Sequence, residues 1–489
     1  MNPSAEPSPV NPGAYIHNGD WLPSAPLVSR GKQPFLWLLC LLLVIYATLG
    51  RSGAHIGIPI PGAGGGGIFI GDVVLLFGLA MLMFRGGYER FFALPVAWLW
   101  LIFFGWNAAQ TLPYFSVYGL APLRDATVWG YSLFAVIIVS HLLARPSGFL
   151  ILFNRYRVFC RFYVPYTLII IPISLAYVPD DPGVFAWGPP AVPSLMPYLT
   201  GTMAFVACRF VSVPAVWWWA LAIDVSAVGT QGRGALLSFI AAAAVVWLCK
   251  PWRTRLSVPV IGAVAGLCFL LAATLMLDLD FGVSASGRAL GPNQLLQNIE
   301  GSFTSTGGAA GGLDGTREWR MELWNQIIDM TVFGSYFWTG KGYGINIVDD
   351  LGHELPGDTR NPENSHLTFL ARSGVPGLVL WVVLQAAWVA SISRVLFFAR
   401  RTGRPRAAGL MTFVLAFWVQ FMVYAATGVV FEGPQGGIWF WTIFGVGAAA
   451  ARMVRRDADF FERMEFSADI VPTRRAVPSA PPFPSPRFT

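Results

Sequence analysis

Charge is what this sequence has least of: Asp, Glu, Lys and Arg make up 12% of its 489 residues, against 55% hydrophobic. Soluble domains carry about a quarter charged residues, so a water-facing globular fold is excluded, and a mean hydropathy of +0.56 agrees. Cysteine is scarce as well. Cys40, Cys160, Cys208, Cys249 and Cys268 all fall in or beside apolar runs, and their spacing builds neither a disulfide framework nor a zinc site. The first thirty or so residues lack the basic patch and short apolar core of a secretory signal, so the first apolar run is expected to serve as an uncleaved anchor. An obvious internal repeat is also missing, which argues against a transporter built from duplicated halves.

What the chain has instead is long apolar runs. They lie near Pro34–Leu49, Ile68–Phe84, Phe91–Trp106, Asp125–Ala144, Val158–Val178, Tyr198–Val211, Pro214–Val228, Ala235–Leu248, Leu256–Leu277, Val375–Phe398, Leu410–Val430 and Gly437–Met453. Read against the roughly 20 helical residues a bilayer core requires, they predict an all-α polytopic membrane protein of about twelve transmembrane helices. The predicted organisation is a disordered cytoplasmic tail at 1–33, a membrane domain at 34–453 and a mostly disordered cytoplasmic tail at 454–489. One large polar loop, Asp278–Ser373, interrupts the membrane domain.

The net charge of +7 and the isoelectric point near 9.3 do not point to nucleic acid, because of where the cations stand. Arg85 and Arg90, Arg145 with Arg155 and Arg157, Lys250 with Arg253 and Arg255, the Arg394–Arg406 group and Arg452–Arg456 recur at alternate connections. Cytoplasmic loops carry that excess. Both termini are thereby predicted to be cytoplasmic and the Asp278–Ser373 loop to face outward.

The topology rule gives no reason for the remaining cations, which include Arg124, Arg233, Arg317, Arg320, Lys341, Arg360 and Arg372. Ionisable groups at membrane depth are costly and mark a ligand or an internal partner. Arg233 stands between Gly232 and Gly234, which would let an anion approach the backbone. Arg124 opens its apolar run beside Asp125 and has an ion pair or snorkelling as its alternatives.

Within the polar loop, Thr316 is placed to cap a helix through Arg317–Ile327. Trp319, Leu323, Ile327 and Met330 recur on one face of it, to lie against the membrane body, with Arg317, Arg320 and Trp324 on a neighbouring face. The Gly340-Lys341-Gly342-Tyr343-Gly344 run suggests a loop that exposes backbone donors beside Lys341 to a phosphate, although it matches no established phosphate-binding fingerprint. After Arg360, Pro362 favours a helix start, which would set Glu363 and His366 three residues apart on one face.

Several of these motifs together resemble the O-antigen ligase and O-antigen polymerase superfamily. They are Thr230-Gln231-Gly232-Arg233-Gly234, Arg320 with Trp324, the Gly340–Gly344 run, Asn364 with Gly374 and Gly377, and Phe431-Glu432-Gly433-Pro434; the resemblance runs from Arg124 to Trp441. It implies a GT-C-like, metal-independent, inverting glycosyltransferase without a cofactor, in the bacterial cytoplasmic membrane with its active loop periplasmic. The implied partners are an undecaprenyl diphosphate-linked glycan donor, a lipid or glycan acceptor and membrane lipids. A ligase passes the glycan to the lipid A core or another surface glycan, whereas a polymerase extends a second carrier-linked repeat.

On matching positions, the resemblance assigns the diphosphate to Arg233 and Arg320, with Lys341 and Arg124 beside them. Trp324, Gly342, Asn364 and Arg360 are the supporting residues. The family places a histidine directly before the asparagine that stands nine residues ahead of a glycine. Counted back from Gly374, that asparagine is Asn364 and the histidine position holds Glu363. Three readings follow: Glu363 replaces the histidine as general base, His366 takes over from a shifted position, or transferase activity is lost. A transporter of lipid-linked or anionic glycans and a non-catalytic assembly subunit are the readings from other classes.

Overall fold

The apolar runs fold as helices, because a backbone out of reach of water must pair its own N–H and C=O groups. The computed structural model describes residues 33–59, 67–177, 187–251, 311–353 and 360–464, with residues 311–317 as backbone alone. The first helices are α1 (Pro34–Ala54), α2 (Ile70–Arg85), α3 (Tyr88–Phe92), α4 (Pro95–Thr111), α5 (Phe115–Tyr118), α6 (Ala121–Gly130), α7 (Leu133–Ala144) and α8 (Gly148–Ala176). They continue as α9 (Met196–Ala207), α10 (Ala215–Gln231), α11 (Arg233–Cys249), α12 (Gly311–Thr331), α13 (Ile347–Asp350), α14 (Ser365–Arg401), α15 (Pro405–Ala425) and α16 (Pro434–Arg456). A short antiparallel hairpin, Gly57–Pro59 with Gly67–Phe69, joins α1 to α2 and pairs Gly57 with Phe69. Helices α1, α4, α15 and α16 each open on proline, whose missing N–H would have had no partner in a first turn.

The core gathers around α16, which packs against α1, α7, α14 and α15. Its small residues let the neighbours approach closely, as membrane helix pairs require. A Cβ at Gly447 would come within 2.6 Å of the Trp388 ring, and the Trp388 indole N–H donates to the Phe444 carbonyl at 2.9 Å.

Five helices are long and apolar enough to cross a membrane alone: α1, α8, α14, α15 and α16. They become six if α6 and α7, bent by 41° to each other, count as one span. The expected twelve is therefore not reached among the described residues. Several apolar runs are cut short by local backbone chemistry. The left-handed Gly86 follows α2, Pro95 separates α3 from α4, and Arg209 at φ 62° turns the chain after α9. The resulting α2, α4 and α9 have 16, 17 and 12 residues, short of the roughly 20 a span requires.

The run at Leu256–Leu277 and the 278–310 part of the expected outer loop lie outside the described residues. So do the expected tails, apart from Gln33 and residues 454–464. These parts are packed rather than free: Gln33 is buried and donates to Ser147, and Phe460, Phe461 and Met464 are buried. Phe461 packs edge-on against Phe149 at 5.2 Å, so ordered structure extends beyond the boundary expected at 453.

Candidate functional site

Helix α14 is broken at Gly374, whose φ of 69° and ψ of −173° leave the helical region. A side chain there would meet the Phe337 carbonyl at 2.4 Å. The break creates a short arm, Ser365 to Ser373, set off from the long apolar remainder. Asn364 caps the arm, its Oδ1 accepting from the backbone N–H groups of His366 and Leu367 at 3.0 and 3.2 Å.

Glu363 immediately precedes that cap and has a φ of 54°. A non-glycine residue in the left-handed region carries strain that its surroundings must impose. Here the Trp324 indole N–H donates to the Pro362 carbonyl at 2.7 Å on one side, and the Asn364 cap fixes the other. The Glu363 carboxylate is thereby turned to Arg320 of α12, with Oε2 3.2 Å from Nη2. Both side chains keep more than a quarter of their surface exposed. Tyr424, at the end of α15, is close enough to interact electrostatically with Glu363.

The expectation that Glu363 and His366 share one helical face is corrected by this geometry, because Glu363 stands outside the helix. His366 points the other way, into the body. Its Nδ1 accepts from the Trp381 indole at 3.2 Å and its Nε2 lies 3.0 Å from the Met422 carbonyl, so the neutral ring carries its hydrogen on Nε2 and uses both nitrogens.

The amphipathic loop helix forms as the periodicity predicts, but over Gly311–Thr331, so Thr316 lies inside it rather than capping it. Leu323 and Ile327 are fully buried with Ile347, Val348, Leu370 and Ala371 in a small second core. That core clamps α12 and α13 onto the arm of α14, which holds Arg320 opposite Glu363. The Arg317 side chain is not among those described.

The glycine-rich run works as a clasp rather than an open cradle. Gly340, Gly342 and Gly344 all have positive φ. The N–H groups of Lys341 and Gly342 donate to the carbonyls of Ala371 and Arg372 at 2.7 and 3.1 Å, and that of Gly344 to Asp125 Oδ2 at 2.8 Å. Lys341 Nζ is 2.7 Å from Asp350 Oδ2. Burial works against its charge, but Asp350 and Tyr336 together hold the ammonium pKa above its ordinary value.

Arg372, Asp125 and Tyr343 bind the clasp to the membrane body. Arg372 Nη1 sits 2.7 Å from Asp125 Oδ2, with the two side chains 1% and 3% exposed. Arg372 also donates to Asn361 Oδ1 at 2.9 Å and to the Gly342 carbonyl at 3.3 Å. The Tyr343 hydroxyl donates to Asn107 Oδ1 at 2.7 Å. Arg360 joins the knot by donating to the Gly344 carbonyl at 2.8 Å, and it approaches Asp125 at 3.7 Å. Sequence reasoning had not placed Arg372 and Asp125 in the site. The available signal was that two opposite charges in apolar surroundings need each other, although nearly 250 residues separate them.

The turn 426–433 draws the remaining elements together. Ser365 Oγ donates to Glu432 Oε2 at 2.6 Å and accepts from the Val430 N–H at 2.9 Å. Burial pushes the Glu432 carboxyl pKa up, and hydrogen bonds from Ser365 and Thr368 oppose that rise. Thr127 of α6 donates to the Glu432 carbonyl at 2.8 Å. Gly234, next to Arg233 at the start of α11, faces Thr427 so closely that a Cβ would lie 1.9 Å from its hydroxyl. Arg320 and Glu363 thus meet directly. Trp324, Asn364, Arg360, Lys341 and Gly342 belong to the same knot, and the helices that bear Arg233 and Arg124 abut the turn behind it. Among the described residues, no three His, Cys, Asp or Glu side chains group closely enough to hold a metal ion.

Residues 216–382 match the family model described as O-antigen ligase. The match begins in α10 and ends within α14, so it takes in Arg233, Arg320, Lys341, Glu363 and His366 but neither Arg124 nor Glu432. A search of curated proteins gives no match.

Proposed function

We propose that this chain, whose residues 216–382 match the O-antigen ligase family model, transfers a glycan from an undecaprenyl diphosphate carrier to a hydroxyl of the lipid A core or another surface glycan. The reaction takes place on the outer face of the cytoplasmic membrane. The observation that carries the reading is the Arg320–Glu363 pair, a cation and a carboxylate held together at a strained corner with part of each side chain still open.

Breaking a sugar–phosphate bond sends an electron pair to the diphosphate oxygen. Guanidinium groups stabilise the charge that develops there, most strongly in a partly dry site. Arg320 supplies one such group and Arg233 the other, brought from the start of α11. Once the donor diphosphate engages Arg320, the Glu363 carboxylate is released from its partner. It then takes the proton of the acceptor hydroxyl as that oxygen attacks the anomeric carbon. A single displacement inverts the configuration at that carbon, and the proton on Glu363 passes to solvent.

His366 has a positioning role in this scheme, since both ring nitrogens are committed to Trp381 and Met422. Arg372, Asp125, Arg360 and Lys341 hold the clasp that sets the arm of α14. Arg124 supports from α6.

The test is turnover by the purified protein in lipid nanodiscs with a lipid-diphosphate glycan. The expected products are carrier diphosphate and a new glycosidic bond, with inverted anomeric configuration. Attachment of the product to lipid A core identifies a ligase; a longer carrier-linked chain identifies a polymerase instead. Translocation of the glycan across liposomes with no bond formed would overturn the transferase reading.

A further inference from the structure

A polar cavity of about 240 Å³ lies away from the Arg320–Glu363 corner, where the ends of α2 and α7 meet α3. Arg85 closes α2, Arg90 belongs to α3, and Arg145 directly follows α7; all three line the cavity. Ser140 and His141 of α7 line it as well and are buried. Arg85 and Arg145 are both near enough to His141 to act on it electrostatically.

Basic helix ends are ordinary on a cytoplasmic face, but two observations set this group apart. Among the described residues, the ion pairs involve Arg320, Lys341, Arg360, Arg372, Arg404 and Arg463, and none uses Arg85, Arg90 or Arg145. Glu89, the acid nearest to Arg85 and Arg90 in sequence, accepts from the Gly87 backbone instead. Three cations from three helices therefore surround one space with no carboxylate paired to them. The second observation is the Ser140 hydroxyl, which is 1% exposed and has no hydrogen-bond partner. A helical serine commonly donates to the carbonyl one turn back, as Ser174 and Ser226 do in this protein. Ser140 keeps its hydrogen bond unspent on the wall of a basic cavity, at the expense that an unpaired buried hydroxyl carries.

A multi-oxygen anion fits that chemistry, and phosphate is the anion a membrane presents. The surroundings select a lipid as its source. Met83 and Phe84, immediately before Arg85, are 81% and 91% exposed, an apolar collar on which acyl chains can lie. We propose that the cavity binds the phosphate of an anionic phospholipid, with Arg85, Arg90 and Arg145 pairing with its charge and Ser140 donating to one of its oxygens. The arginine distribution places this site on the cytoplasmic side, opposite the loop proposed to transfer glycan, so the lipid acts on helix packing rather than on the reaction.

The full chain, purified and delipidated, is titrated with phosphatidylglycerol, phosphatidylcholine and inorganic phosphate. Native mass spectrometry reads the bound lipid, and thermal unfolding reads protection. Phosphatidylglycerol is expected to be retained and protective, and the other two are not. The triple variant Arg85→Gln, Arg90→Gln, Arg145→Gln is expected to lower retention at least tenfold while the lipid-free protein unfolds at an unchanged temperature. Should the triple variant fail to fold, Arg90→Gln and Ser140→Ala are tested singly, each expected to weaken retention severalfold. Equal retention of the two lipids, or retention unaltered in the variants, overturns the proposal. Inorganic phosphate that displaces phosphatidylglycerol and protects equally well overturns the lipid source.

Discussion

Arg320 Nη2 lies 3.2 Å from Glu363 Oε2, and the bond joins the amphipathic loop helix to the residue just before the α14 cap. Neither partner is buried. Surface ion pairs contribute little to stability, so this one does not explain why a glutamate is kept at φ 54°. The Trp324 bond to Pro362 and the Asn364 cap hold that backbone instead.

Glu363→Gln keeps the size of the side chain and removes its basicity. Transfer activity is expected to fall by about 10²-fold or more, with thermal unfolding close to that of the parent protein. Single-turnover measurements with saturating donor check this, and an unchanged rate would return the base to another residue.

His366→Gln breaks the contacts with Trp381 and Met422. It is expected to lower thermal stability and to reduce turnover less than Glu363→Gln does. If the order of the two activities is reversed, His366 rather than Glu363 takes the acceptor proton.

Asp125→Asn leaves the buried Arg372 guanidinium without its counter-charge. Removing one partner of a buried pair costs about 3–5 kcal/mol, so the unfolding temperature should drop sharply. Replacing both residues together, as Asp125→Leu with Arg372→Met, is expected to recover only part of the loss, because the Gly344 N–H and Asn361 Oδ1 also lose their partners. Unfolding curves of the two singles and the double, in one detergent, measure the coupling.

Gly342→Ala would put its Cβ 1.9 Å from the Tyr114 ring, at a backbone φ of 82°. Loss of folded protein is expected, with partial recovery when Tyr114→Ala is added. Recovery stays partial because the ring clash is relieved while the left-handed backbone still disfavours a side chain, by about 1 kcal/mol or more.

Glu432 supplies a pH dependence. Its carboxyl pKa is raised in the folded protein above the ordinary 4.5, first by burial. The folded state therefore holds this proton at pH values where the unfolded chain has released it. That contribution to stability is complete below about the unfolded value and is lost as pH rises through the folded one. Glu432→Gln is expected to flatten this part of the stability profile, as the difference in unfolding temperature between the two proteins across that range will show.

Much of the fold follows from local pattern. Each apolar run that falls among the described residues is mostly helical, and the Leu323 and Ile327 stripe packs inward as its spacing demands. The helix count was less legible. A window of apolar residues does not distinguish an unbroken helix from one stopped by Gly86, Pro95 or the turn at Arg209, and those stops leave α2, α4 and α9 short. The bonds of the candidate site were not legible. The glycine-rich run, read as an open phosphate cradle, spends the N–H groups of Lys341, Gly342 and Gly344 on Ala371, Arg372 and Asp125.

The sequence by itself determined the solvent and the helical class, because hydropathy and short-range spacing are properties of the chain. Only tertiary structure decided which carboxylate meets which cation. Arg320 reaches Glu363 across 43 positions, while Arg372, close to Glu363 in sequence, turns away to Asp125 far upstream. The reason is physical. A charge in an apolar surround must be matched by whatever the packing brings within a few ångströms, and the break at Gly374, the cap at Asn364 and the turn at 426–433 set that distance.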